Sequence, residues 1–221
     1  CGAPVDLQLT LSSGGDVFVY PVRVATGSGT GAPQRVDFNT QQSIPDANAT
    51  GLEVPFTVTG SGTVAKVTLS LYLTHGYDED LLIRLISPSG TTVDLSRNRG
   101  GSGDNFGSSC TPDGNRVTFD DAALLALVDG VPPFVGSFRP DSPLAAFSGE
   151  ALAGTWKLKI VDSVSGDAGI LRCASLVVTP VACGPASACN LVAQCGATPA
   201  SGAAPLSVTF GAVASGGSGT Y

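Results

Sequence analysis

The chain has 221 residues, with 11 Lys and Arg against 18 Asp and Glu and a formal net charge of −7. So few cations exclude the basic surface that binding to a nucleic-acid backbone requires. No run of about 18 apolar residues occurs, so the sequence contains no candidate transmembrane helix. Its 29 Gly and 15 Pro separate short Val- and Thr-rich runs, which indicates many short strands and turns.

The first segment is typical of a β-hairpin. The runs LQLTL (7–11) and VFVYPVRV (17–24) alternate in polarity, and SSGGD between them favours a turn. We interpret residues 1–30 as the end of a preceding β-module and residues 31–43 as a linker, because the Gly-rich stretch ATGSGTGAP joins them. The chain starts without a leader and stops within a β-type pattern, so we expect it to be part of a longer protein.

Residues 44–180 form the main predicted unit, an all-β, jelly-roll type β-sandwich with partial β-modules on either side. Seven candidate strands are predicted at 53–60, 65–74, 80–88, 91–96, 116–121, 154–162 and 173–180. The Ser-Gly in ISPSGTTV indicates a hairpin turn. The run DAALLALV (121–128) favours a short helical piece with an Asp cap.

A Cys-rich connector is predicted at residues 181–196. Cys183, Cys189 and Cys195 follow one another at six-residue spacing. Zinc sites commonly pair cysteines about two to four residues apart, so this spacing favours disulfides over a metal. Disulfides persist in oxidising compartments, which indicates an extracellular protein.

Several motifs in the main unit occur in the order and spacing of one known family. These are IPD (44–46), LTHGYDEDLLIRLISPSGTTVDL (73–95), GDNF (103–106), TFDDAA (118–123) and FRPDSPLAAFSGEALAGTWKLKIVDSVSGDAGIL (138–171). Together they resemble the P domain, or Homo B domain, found beside the catalytic domains of kexin- and furin-like proteases and many bacterial secreted peptidases. Residues 197–221 resemble the start of a PKD (polycystic kidney disease-like) domain.

The resemblance implies a non-catalytic accessory domain of a secreted, bacterial, multidomain peptidase. The parent would be a subtilisin-like serine endopeptidase or, less commonly in this family, a zinc metallopeptidase. The implied partner is a peptidase domain of the same polypeptide or another extracellular protein. The alternative is a module in a non-enzymatic surface or adhesion array, which the preceding β-module and the PKD-like start favour.

The chain departs from the family pattern at two cysteines. Cys173 stands where the family usually has Trp, and Cys110 lies in GSSCTPDGNR (107–116), which resembles a loop insertion. Two cysteines at unusual places in one domain predict a Cys110–Cys173 disulfide, which would stabilise the domain by about 2–4 kcal/mol. The alternative is two separately buried thiols.

The acidic residues at strand ends suggest calcium, which family members are known to carry. Calcium needs about six to eight oxygen ligands, commonly from carboxylates and carbonyls in loops. The predicted ligands are Asp80, Asp104, Asp120 and Asp121. The alternative is a solvated acidic rim, or aspartates that cap turns.

His75 and Trp156 are each the single residue of their type. A Ser-His-Asp site would need His75 as its base. The resembled domain has no catalytic residues, so we predict a structural His75 bonded to neighbouring loop backbone and no active site in this chain. Alternation places Trp156, Leu158 and Ile160 on one face, which predicts a core position for the indole.

Overall fold

The computed structural model describes residues 30–182 with their side chains, and the backbone of strands at 5–13, 16–24, 192–198 and 209–215. The chain divides into two compact units, residues 30–181 and residues 1–29 with 182–221. Most of the predicted Cys-rich connector and of the PKD-like segment lies outside the described residues.

Sixteen strands and four short 3-10 helices are described. The strands are β1 Val5–Ser13, β2 Asp16–Val24, β3 Gly29–Thr30, β4 Gln34–Phe38, β5 Gln42–Ile44, β6 Leu52–Val58, β7 Val64–Thr74, β8 Leu81–Ile86, β9 Thr92–Arg97, β10 Val117–Phe119, β11 Leu125–Ala126, β12 Gly136–Arg139, β13 Gly154–Asp162, β14 Gly169–Ala182, β15 Val192–Thr198 and β16 Thr209–Ser215. The 3-10 helices are Asp78–Asp80, Asp113–Asn115, Leu127–Asp129 and Leu144–Phe147.

The unit of residues 1–29 and 182–221 contains two antiparallel strand pairs. β1 pairs with β2, with Leu7 opposite Val22, which confirms the predicted first hairpin. β15 pairs with β16 in the same manner.

Residues 30–181 build a sandwich of two sheets. The larger sheet has the order β11-β12-β10-β7-β14-β3, with β4 and β5 also paired to β14. The smaller sheet has the order β6-β13-β8-β9. Most neighbours are antiparallel, whereas β12 runs parallel to β10 and β11. The predicted all-β sandwich is confirmed, and each of the seven predicted strands corresponds to an observed one.

The core lies between the sheets because alternate residues of facing strands point inward. On β13, Trp156, Leu158 and Ile160 are fully buried, as the alternation predicted. The indole Nε1 donates a 3.1 Å hydrogen bond to the carbonyl of Leu152. Its ring meets Phe147 edge to face at 5.0 Å. Trp156 is therefore a core anchor with its one donor satisfied.

Two local predictions need correction. Residues 31–43 are not a free linker, because β4 pairs with Ala174–Val178 of β14 and β5 pairs with Gly169–Leu171. The compact unit accordingly begins at Thr30. The segment 121–128 forms no α-helix, and instead contains a turn, the two-residue strand β11 and the start of a 3-10 helix. The predicted cap, Asp121, is engaged elsewhere in the fold.

Candidate functional site

A Gly-rich loop wraps around the acidic segment Asp78–Asp80 at one end of the sandwich. The backbone N–H of Asp78 donates to the carbonyl of Gly103 at 2.9 Å, and that of Glu79 donates to Gly101 at 3.2 Å. Gly100 has φ of +104°, and a Cβ there would lie 2.7 Å from Cβ of Asp78. The absence of a side chain thus lets the loop approach the carboxylates closely.

Asp78 is the unusual residue of this end. It is fully buried, and neither carboxylate oxygen has a hydrogen-bond partner among the described residues. Burial, with a smaller contribution from the nearby carboxylate of Asp104, raises the pKa of Asp78 to about 8. The backbone N–H of Asn105 acts in the opposite direction, although its contact falls short of hydrogen-bond geometry. A buried, unpartnered carboxylate is costly, so a bound cation would relieve it.

His75 lies beside this loop and is held from both ring nitrogens. Nε2 lies 3.1 Å from Oδ2 of Asp162, and both side chains are fully buried. Nδ1 lies 2.9 Å from the carbonyl and 3.1 Å from the backbone nitrogen of Tyr77. These contacts include the hydrogen bonds to neighbouring loop backbone that were predicted for His75.

Asp80 lies close to the same buried pair. Burial raises its pKa, and the charge of Asp162 raises it further, whereas His75 lowers it. The carbonyl of Asp80 accepts bonds from both the backbone and the hydroxyl of Ser163, at 3.0 and 2.9 Å. The backbone of Asp80 is therefore held in place immediately before the start of β8.

Asp120 and Asp121, the other two predicted calcium ligands, lie at the opposite end of the sandwich. Asp120 forms a 2.8 Å ion pair with Lys66, near the start of β7. Asp121 accepts the backbone N–H groups of Leu144 and Ala145 at 2.9 and 2.7 Å, and so caps the 3-10 helix there. Asp120 also accepts the backbone N–H of Ala122 at 2.9 Å, so both residues match the turn-capping alternative.

The structure therefore divides the four predicted ligands between two ends of the domain. Lys66 and Thr74 are eight residues apart on β7, which places the ends roughly 25 Å apart at strand spacing. Within residues 30–182, no three His, Cys, Asp or Glu side chains converge as a metal cluster. A cation at the Asp78 end would rest on Asp78 and Asp104 together with loop carbonyls. Sequence alone offered one signal for Asp78, the Gly-rich run that follows in the chain.

The loop 107–116 is fastened to the outer face of the larger sheet. Cys110 and Cys173 form a disulfide with a Cα–Cα distance of 6.0 Å. Arg116, which is buried, donates from Nε to the carbonyl of Cys110 at 2.8 Å and from Nη1 to Ser175 at 2.6 Å. Arg35 adds an exposed ion pair to Asp113. This loop is thus held by a covalent bond and by a buried cation.

These features define a disulfide-containing all-β sandwich domain with a buried histidine–aspartate pair. The family model of the proprotein convertase P-domain matches residues 64–178. The match covers more than half of the chain, and the chain belongs to this family. The resemblance seen in the motifs of the main unit is therefore confirmed.

Two curated relatives match parts of the chain. Leupeptin-inactivating enzyme 1 of Streptomyces exfoliatus is 34% identical over 84 residues, which are 36% of this chain and 19% of that protein. The transglutaminase-activating metalloprotease of Streptomyces mobaraensis is 29% identical over 143 residues, which are 64% of this chain and 14% of that protein. The chain thus spans less than a fifth of the length of either relative.

A solved structure also aligns with the chain. The serine protease of Aeromonas sobria is 18% identical, with a TM-score of 0.43 over 80% of this chain and 37% of that one.

In the part of the chain that the structure describes, no helix is long and apolar enough to cross a membrane.

Proposed function

We propose that this chain is the non-catalytic accessory domain of a secreted bacterial peptidase, which it stabilises by packing against the peptidase domain of the same polypeptide. Membership in the P-domain family and the peptidases among the relatives support this assignment. A subtilisin-like serine endopeptidase remains the proposed parent. The metalloprotease relative supports a zinc metallopeptidase as the second class.

One observation carries the docking role. A single segment at the edge of the larger sheet exposes five large aliphatic side chains, namely Leu124, Leu125, Val128, Val131 and Val135. Leu124 is 97% exposed and Val131 is 76% exposed. Arg139 donates to the carbonyls of Ala123 and Leu124 at 2.8 and 2.6 Å, which fixes the start of the segment. Apolar side chains concentrated in this way mark surfaces that contact another protein.

The segment has the character of an inter-domain surface. Between residues 124 and 135 the only charged side chain is Asp129. A partner surface that is apolar, with a cation opposite Asp129, would complement it. Such inter-domain surfaces bury roughly 600–1,500 Å², which suffices when the partner is covalently attached and its effective concentration is high.

The test compares the natural polypeptide carrying Leu124→Ser and Val131→Ser with the same polypeptide carrying Val164→Ser. Val164 is 50% exposed but lies outside the segment, so it controls for the loss of a surface aliphatic group. We expect the double variant to shorten the thermal half-life of peptidase activity several-fold, with no effect of the control. Equal half-lives for both would refute docking through this segment. A natural polypeptide without a peptidase domain would support the adhesion-array alternative instead.

We further propose that Asp78 and Asp104, with carbonyls of the Gly-rich loop, bind calcium. The buried and unpartnered oxygens of Asp78 support a cation at this end. Mixed carboxylate and carbonyl oxygens are the ligands that calcium prefers. A calcium ion would supply the positive charge that orders the loop, and the chain's own contribution is to hold the two carboxylates close together.

A thermal melt of the full chain in calcium and in chelator tests this site. At a calcium concentration about 100 times the dissociation constant, we expect a rise in Tm of roughly 5–10 °C. Asp78→Asn and Asp104→Asn should abolish the rise, whereas Asp120→Asn should keep it because Asp120 lies at the far end. A rise that persists in both of the first two variants would refute the site.

A further inference from the structure

A second feature of the Asp78 end goes beyond docking and metal binding. A solvent-open pocket of about 380 Å³ lies where β7 ends, and Arg172 of β14 forms part of its wall. Thr74, Gly76, Asn105 and Ile170 also line it. Its volume falls within the range of roughly 300–1,000 Å³ that is usual for small-molecule sites.

Arg172 is held in this pocket by neutral groups. Its Nη1 donates to the side-chain oxygen of Gln41 at 2.8 Å, and its Nε lies 3.4 Å from the hydroxyl of Thr74. Within residues 30–182, Arg172 has no carboxylate partner, and its Nη2 makes no hydrogen bond. The guanidinium is therefore positioned by neutral groups and makes no ion pair.

A basic side chain without a carboxylate partner is unusual in this domain. Most other Lys and Arg side chains of residues 30–182 pair with a carboxylate, including Arg84 with Asp94 and Arg99 with Asp141. Arg139 also lacks a carboxylate partner, but its Nη1 binds two backbone carbonyls. Arg172 thus combines a missing carboxylate partner with a place in a pocket.

Asn105 supplies a second donor to the pocket. Its Oδ1 accepts the backbone N–H of His75 at 3.1 Å, and because a backbone N–H can only donate, this bond assigns the amide orientation. The Nδ2 group is therefore left without a partner in the described part of the chain. Asn105 adopts φ of +75°, and the bond from His75 holds its side chain at the pocket.

The surrounding charges decide which anion fits. Asp104 lines the pocket, the carboxylate of Asp167 lies against Gly76 in its wall, and the buried carboxylates of Asp80 and Asp162 lie near His75. These carboxylates would repel a dianion such as phosphate about twice as strongly as a monoanion, for which one cation and a few donors can suffice. Guanidinium groups bind carboxylates well because their donors match the two oxygens. Ile170 provides an apolar wall beside Arg172 for a small side chain next to the carboxylate.

We propose that this pocket binds the free carboxylate end of a short peptide, with Arg172 as the cation and Asn105 as the second donor. One charge-assisted contact in an open pocket gives weak binding, with a dissociation constant on the order of 1 mM. The proposal does not depend on what the domain docks against.

The experiment is an NMR titration of the ¹⁵N-labelled full chain in chelator, so that a cation at Asp78 does not contribute. The probe is N-acetyl-Ala-Ala, which has a free carboxylate, and its control is N-acetyl-Ala-Ala-amide, which has none. We expect saturable shifts at the amides of Gly76, Asn105 and Ile170 with the first peptide and none with the second. Arg172→Gln should weaken binding about tenfold or more, because it removes the charge.

Arg139→Gln is the matched variant, since Arg139 also lacks a carboxylate partner but lies outside the pocket. It should leave the titration unchanged. The proposal is overturned if no saturable shift occurs in the millimolar range, if the amide-capped peptide binds equally, or if Arg172→Gln binds as well as the natural chain. Tighter binding of glucuronate or inorganic phosphate than of the peptide would overturn the ligand class.

Discussion

Asp78 donates its backbone N–H to the carbonyl of Gly103 at 2.9 Å while both of its carboxylate oxygens remain buried without a partner. The backbone bond holds the segment and the loop together. The side chain, in contrast, weakens the fold whenever it is charged and no cation is present. The stability of this domain should therefore depend on both pH and calcium through one residue.

The pH dependence in chelator follows from the pKa of Asp78. Its value of about 8 in the folded state exceeds the value of about 3.9 for an unfolded chain. The folded protein retains a proton that the unfolded chain has lost, so the free energy of unfolding falls as pH rises from about 4 to 8, by at most about 1.4 kcal/mol per pH unit. Below about pH 4 the carboxyl of Asp78 is protonated in both states, so it adds no pH dependence to the free energy of unfolding.

Urea unfolding of the natural chain and of Asp78→Asn, in chelator from pH 4 to 8, measures this contribution. The variant should lack the decline and should be more stable relative to the natural chain at pH 8 than at pH 4. Glu79→Gln is the control, since Glu79 is the exposed neighbour in the same 3-10 helix. The interpretation fails if the difference between natural chain and Asp78→Asn stays constant with pH.

Gly100→Ala should disturb the same end through a clash. The added Cβ would lie 2.7 Å from Cβ of Asp78 and 3.1 Å from the ring of Phe134. Gly62 is a suitable control because it has φ of +107°, close to the +104° of Gly100, with nothing within 4 Å of a Cβ. Both substitutions incur the cost of a positive φ, on the order of 1 kcal/mol or more, so their difference reports the contact alone.

Chemical denaturation should show Gly100→Ala to be less stable than Gly62→Ala by about 1–3 kcal/mol, the range for overpacking in a tight site. The calcium-dependent rise in Tm that the proposed site predicts should also shrink in Gly100→Ala and remain in Gly62→Ala. Equal losses of stability in the two variants would mean that the loop moves away from Asp78 without cost.

Strands that bury one face were predictable because their alternation is local. The runs that became β7 and β13 have this pattern over most of their length, and their inward residues are the buried ones. The strand Gln34–Phe38 was missed because its five residues lie between Gly/Pro-rich stretches, and its pairing with β14 spans about 140 residues of sequence. β12 is likewise short, with four residues.

The site was less predictable because burial at loops is set by distant segments. The sequence Asp-Glu-Asp at 78–80 gives no sign that Asp78 is enclosed and Glu79 exposed, since that depends on the loop at 100–103. Asp104 and Asp120 both carry the carboxylate group that calcium prefers. They lie near opposite ends of β7, and only the topology of the sheet reveals the distance between them.

The disulfide and Arg116 should be energetically coupled because both hold the loop 107–116. Replacing Cys110 and Cys173 by Ser should cost about 2–4 kcal/mol. Arg116→Gln removes two hydrogen bonds from a buried charged donor and should cost about 2–4 kcal/mol. Lys157→Gln is the control, and should cost less than about 1 kcal/mol because its ion pair with Glu53 is exposed and belongs to the smaller sheet.

A double-mutant cycle measures the coupling between the disulfide and Arg116. Once the disulfide is absent, the loop can leave the sheet, and the carbonyl of Cys110 that Arg116 binds leaves with it. The loss caused by Arg116→Gln should then be smaller than in the oxidised protein, with a coupling energy of roughly 0.5–3 kcal/mol. Limited proteolysis should show cleavage within 107–116 chiefly in the triple variant. Additive losses, with coupling near zero, would show that each contact acts independently on the sheet.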